Sequence, residues 1–167
     1  MSFLTTLEEL PVSDWVATSD WGYPIMLSIH SIGMAAVVGL VMTLDVRVLG
    51  YASRIPITVF RKFMPYAWFG FALNLASGLL LFASTASRLI SNWPFISKMI
   101  AIVVGGVLTF ALWRELESTR SSEADEPTVS AKAKWMAIGS LALWIAAILF
   151  GRLIAYILDH AILNDGA

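Results

Sequence analysis

The sequence predicts an all-α protein: a four-helix transmembrane bundle with an N-terminal peripheral amphipathic segment. Three observations predict it. Four apolar stretches are each long enough, at about 20 residues, to cross a bilayer as a helix. The chain is 58% hydrophobic and only 14% charged, too apolar for the surface of an ordinary soluble domain. Seven Trp and four Tyr suit aromatic belts at two membrane interfaces. A net charge of −1 argues against a nucleic-acid partner, which needs a basic face. Cys is absent, which excludes disulfides, thiolate metal sites and cysteine nucleophiles.

Residues 1–22 form the expected peripheral segment. Phe3, Leu4, Leu7, Leu10, Trp15 and Val16 mix with acids, and Pro11 divides the stretch into two short pieces. It lacks the basic start of a secretory signal, and Glu8, Glu9, Asp14 and Asp20 interrupt it. The bundle is expected over residues 23–158, with spans over about 23–49, 63–84, 94–113 and 135–158. In the first span Gly33, Ala36 and Gly39 keep one face small, which lets another helix approach. In the second, Gly70, Asn74 and Gly78 recur every four residues and share a face. Asn74 lies at mid-membrane, where its amide either ties two helices together or supports a site. The third span opens on Pro94, well placed in a first turn, and carries Ala101 and Gly105 on a small face. A polar loop follows over 114–134, then the fourth span with Arg152, then a tail over 159–167.

Orientation follows from the basic residues. Arg47, Arg54, Arg61, Lys62, Arg114, Arg120, Lys132 and Lys134 all fall on the side of the first and third connections; Arg88 and Lys98 fall on the other. The loop 114–134 is therefore expected in the cytoplasm, with both termini on the outer side of an inner (cytoplasmic) membrane.

A histidine and two cations share one depth within the spans, and an ionisable group at membrane depth marks a candidate functional site. His30, Lys98 and Arg152 each fall about 6–9 Å inside the outer boundary, at 1.5 Å per helical residue. Tyr156 stands one turn from Arg152 on the same face. No acid shares that depth, so the expected partner is an external anion: a cofactor carboxylate, a lipid headgroup or another subunit. Each residue also has a plainer role. Lys98 and Arg152 can snorkel to the headgroups, and His30 can hydrogen-bond within the bundle. Asp45 and Arg47, at the inner interface, are expected to be an ion pair or a topology signal. His30 and His160 make no metal motif, since protein ligands for zinc are missing.

The ordered set Tyr23-Pro24, Ile29-His30, Gly33, Gly39, Leu44-Asp45, Arg47 and Leu49-Gly50 resembles an uncharacterised family of small bacterial four-helix membrane proteins. The likeness continues through Pro65 to Gly78, the segment NWPFISK with Lys98, and Gly151 to Tyr156. More distantly, a histidine in the first helix followed by Gly and Arg, with a Lys opening the third, is similar to CopD-type and HemJ-type membrane proteins. That resemblance implies a haem iron on His30, with Arg152 and Lys98 meeting its carboxylates and Tyr156 and Asn74 in support. It departs late in the third span, where Trp113 stands in place of a second histidine.

Three functions are therefore expected in order. The first is a redox module holding haem b or a quinone near the outer face. The second is a non-catalytic subunit packed on a larger membrane complex. The third is a small-solute or ion pathway formed by a homo-oligomer.

Overall fold

A computed structural model describes residues 3–119 and 129–165, with side chains described as far as Ile157. The part of the polar loop over 120–128 and the side chain of His160 lie outside the described residues. The chain is all-α: α1 (Phe3–Glu8), α2 (Pro11–Thr18), α3 (Gly22–Val48), α4 (Val59–Ala83), α5 (Ala86–Leu89), α6 (Trp93–Ser118) and α7 (Ala131–Asp165). Among the described residues, α3, α4, α6 and α7 up to Ile157 are long and apolar enough to cross a membrane. The chain is a multi-pass membrane protein. Its outward apolar side chains, among them Ile32, Trp68, Phe69, Val103, Val107 and Leu149, are exposed as a lipid-facing surface requires.

The chain divides into two compact units, residues 1–40 with 62–91 and residues 41–61 with 92–167. In the first, α3 and α4 run antiparallel: His30 lies against Asn74 and Gly78, and Gly33 against Gly70. A Cβ on Gly33 would stand 2.7 Å from the Asn74 nitrogen and 2.8 Å from the Gly70 carbonyl oxygen. The backbones approach that closely only because both positions lack side chains. Ala36 completes this face against Gly70, whereas a Cβ on Gly39 would meet nothing within 4 Å. The N-terminal segment belongs to this unit. Pro11 sits in the first turn of α2, so the expected two-piece reading corresponds to two short helices. Ser13 and Val16 are buried, and Phe3, Trp15 and Trp21 are exposed. Glu8 at the end of α1 takes two hydrogen bonds from Ser87 in α5, from its N–H at 2.8 Å and its hydroxyl at 2.7 Å. Those two donors hold the Glu8 carboxyl below the usual carboxylate range.

In the second unit, α6 and α7 pack antiparallel in a register readable from four places. Lys98 lies on Gly151, Gly105 faces Leu143 and Trp144, Thr109 meets Ser140, and Glu115 pairs with Lys132 at 2.7 Å. Ala101, Gly105, Ala133, Ala137 and Ala147 supply the small residues, and Leu112 and Leu116 fill the seam. The end of α3 closes on a Schellman motif. Tyr51 N–H bonds to Val46 O and Gly50 N–H to Arg47 O, with Gly50 at φ 105°.

Three helices start earlier or end later than their apolar runs. α4 begins at Val59 rather than 63, which places Pro65 inside it. α6 continues to Ser118 rather than 113, and α7 runs from Ala131 to Asp165 rather than over 135–158. Backbone hydrogen bonding carries a helix past the last apolar residue, because charged side chains such as Lys62, Glu115 and Lys132 propagate it well.

Candidate functional site

The histidine of the first unit is fixed by α4. His30 Nδ1–H donates to the Asn74 backbone carbonyl at 3.0 Å, and Asn74 Nδ2–H donates back to the His30 carbonyl at 2.8 Å. Each side chain thus bonds the other residue's backbone. Ser77, 2% exposed, places its Oγ 3.3 Å from the same Nδ1. Its own proton goes to the Leu73 carbonyl at 2.6 Å, so towards His30 it accepts. The imidazole packs on Gly78, where a Cβ would stand 3.0 Å from Cε1. The Gly70-Asn74-Gly78 face therefore supplies a close approach, a hydrogen bond and room for a ring.

The chemistry of this arrangement follows from the tautomer. A carbonyl only accepts, so Nδ1 carries the proton, and in the neutral imidazole the lone pair belongs to Nε2. Histidines that bind a metal ordinarily donate their other ring N–H to a carbonyl or carboxylate, which sets both tautomer and ring orientation. Sequence reasoning missed Ser77. Its only signal was a place one turn after Asn74 on an otherwise apolar helix.

The remaining expected site residues lie in the second unit. Lys98 is half-buried with its stem laid along Gly151, and the α6–α7 register sets it level with Arg152. Arg152 and Tyr156 are exposed, Tyr156 at 68%. Asp45 is wholly buried, and neither carboxylate oxygen has a hydrogen-bond partner. Arg47 directs its Nε to the carbonyl of Ile55. Asp45 and Arg47 therefore share no hydrogen bond, because side chains two apart on a helix point to different sides. Beside Asp45 lies a group the sequence did not single out: Ser140, Thr109 and Trp144, joined by hydrogen bonds. Among the described residues, no cluster of three or more His, Cys, Asp or Glu stands ready to hold a metal ion.

A family model matches residues 20–157, from just before α3 into α7. The chain belongs to the DUF6644 family. That family is one of unknown function. All the candidate residues from His30 to Tyr156 fall inside the DUF6644 region, whereas α1 and α2 precede it. No curated protein and no solved structure matches the chain. The expected likeness to an uncharacterised membrane family thus stands, and the more distant one to CopD-type and HemJ-type proteins is not shown.

Proposed function

We propose that this DUF6644 protein is a redox module that holds haem b through His30. The observation that carries the reading is the Nδ1–H donated to the Asn74 carbonyl at 3.0 Å. It turns a flexible imidazole into an oriented one with its lone pair on Nε2. When bound, the haem would supply one-electron chemistry in a water-poor site. The chain's part is to aim the ligand, through Asn74 and Ser77, and to keep ring space open at Gly78. The same tautomer suits a quinol, whose O–H would donate to Nε2, better than a quinone, whose carbonyl needs a donor. We further assign Lys98 and Arg152 as partners for carboxylates, since an ammonium and a guanidinium at one level suit such groups; Tyr156 stands on the Arg152 face. The membrane is a bacterial inner membrane with both termini outside, on the distribution of Lys and Arg.

The test is an absorption spectrum of detergent-purified protein from haem-replete cells. A Soret band that is lost in His30→Ala supports the assignment. A colourless wild-type preparation ends the haem reading.

A second reading has its own observation. The two bonds between His30 and Asn74 satisfy polar groups that would otherwise be unpaired in a bilayer, so they also serve a purely structural seam. A non-catalytic subunit would show a colourless protein together with a stoichiometric membrane partner on co-purification.

A further inference from the structure

The sides of α2 can be read residue by residue. At about 3.6 residues per turn, each residue advances about 100° around the helix axis. Ser13 and Val16 are buried and mark the side that meets the protein. Val12 and Trp15 are centred about 100° round from that side, and Asp14 and Thr18 about 110° further on. All four are exposed. The helix thus has a packed face, a polar face and, between them, an apolar face that the chain leaves bare. A helix on the surface of a soluble protein needs only the first two.

The height of that bare face is set by the start of α3. Gly22 opens the first span and lies against the end of α2: a Cβ there would stand 2.5 Å from the Trp15 carbonyl oxygen and 2.9 Å from Val16 Cα. The last turns of α2 therefore sit level with the point where α3 enters the bilayer. Trp21, Tyr23 and Ile25 are exposed as well, so the lipid-facing surface of α3 begins beside α2. The two bonds from Ser87 to Glu8 tie the segment down at its other end. An indole fixed at this height is placed as membrane-interface Trp residues are, between acyl chains and water. Charge narrows the kind of lipid. Residues 1–22 hold Glu8, Glu9, Asp14 and Asp20 and no Lys, Arg or His. Glu8 is taken by Ser87, with Arg88 close by, whereas Glu9, Asp14 and Asp20 are exposed. Exposed carboxylates repel an anionic lipid surface and suit headgroups that carry an ammonium beside the phosphate.

We propose that α2 is an interfacial anchor: Val12 and Trp15 enter the boundary of a zwitterionic phospholipid bilayer where α3 begins, while Asp14 and Thr18 face water. The partner of this face is the lipid surface itself, not a second copy of the chain or another subunit. The anchor holds the first turn of α3 at a fixed height in the membrane. The inference lies outside the haem reading and uses neither His30 nor the residues around it.

Spin-label accessibility tests it. The chain has no cysteine, so one introduced cysteine carries a nitroxide at a single position. Val12→Cys and Asp14→Cys, both at exposed positions, are labelled in the full chain and reconstituted into phosphatidylcholine vesicles. The label at 12 should be relaxed more by oxygen, which concentrates among acyl chains, and the label at 14 more by a neutral water-soluble nickel chelate. Equal access of the chelate to both positions overturns the proposal, because the segment then stands in water. A label at 12 shielded from both agents also overturns it, because protein then covers the face. Should the label at 12 disturb the fold, the emission of Trp15, taken as wild type minus Trp15→Phe, must be quenched by phosphatidylcholine brominated high on its chains and spared by iodide; the opposite pattern counts against the anchor. Replacing part of the lipid with phosphatidylglycerol should lower the oxygen-to-nickel ratio at 12, and added salt should restore it. A ratio indifferent to phosphatidylglycerol overturns the choice of a zwitterionic surface.

Discussion

Replacing Gly33 with alanine is the sharpest perturbation of the α3–α4 seam. The new Cβ would meet the Asn74 nitrogen at 2.7 Å and the Gly70 oxygen at 2.8 Å, both backbone atoms that no rotamer change can move. Ordinary contact begins at 3.4 Å, so the helices must part by about 0.7 Å. Separation of that size along the bonds would stretch the His30–Asn74 pair, now 2.8 and 3.0 Å, to about 3.5 and 3.7 Å, outside hydrogen-bonding range. Each interhelical bond contributes about 0.6–1.7 kcal/mol in a membrane protein. Forcing a methyl into a filled seam costs about 1–3 kcal/mol more. The gain in helix propensity from Gly to Ala returns about 0.5–1 kcal/mol. Gly33→Ala should therefore destabilise the protein by about 2 kcal/mol or more. Gly39→Ala, which meets nothing within 4 Å, should be neutral or slightly stabilising. Equilibrium unfolding in mixed micelles of mild detergent and dodecyl sulfate, followed by circular dichroism, compares the two. Equal stability of the two variants would refute the reasoning.

Other outcomes follow from the same geometry. Asn74→Ala removes one of the two reciprocal bonds and leaves the backbone carbonyl that His30 uses; it should destabilise by about 1 kcal/mol, and a double-mutant cycle with His30→Ala should show coupling of about 0.5 kcal/mol or more. The Glu8–Ser87 link should depend on pH with a definite sign. A carboxyl held below its ordinary value of 4.5 stabilises the docked segment above that pH, and this contribution fades as pH falls through the lower folded value. Hydrogen-exchange protection across residues 3–18, taken relative to the intrinsic exchange rate at each pH, should therefore fall in acid, and Glu8→Gln should show low protection at every pH. Leu112→Ala empties a wholly buried position in the second unit and should lower stability by about 2–3 kcal/mol in the same micelle titration.

Much of this architecture is legible in composition and order. The number of spans, their places and the break at Pro11 follow from apolar run length and from one imino acid, because a continuous apolar run of about 20 residues satisfies its backbone in a bilayer as a helix. The shared face of Gly70, Asn74 and Gly78 is likewise visible, since a repeat of four is a geometric property of the helix itself. Helix ends were not visible in the same way: Val59 and Asp165 lie beyond the apolar runs, where continuation depends on backbone hydrogen bonds rather than on hydropathy.

What the linear chain determined by itself is where the molecule lives, in a membrane, and which of its faces are narrow enough to meet. Only the tertiary structure decided which atoms those faces bring together. It bonded Asn74 to His30, laid Lys98 on Gly151, left Arg152 outward, and buried Asp45 beside Ser140 rather than against Arg47. The reason is physical. Hydropathy is a sum over a segment and survives any rotation of a helix about its axis. A hydrogen bond is a distance of about 3 Å between two atoms, and a rotation of one residue destroys it.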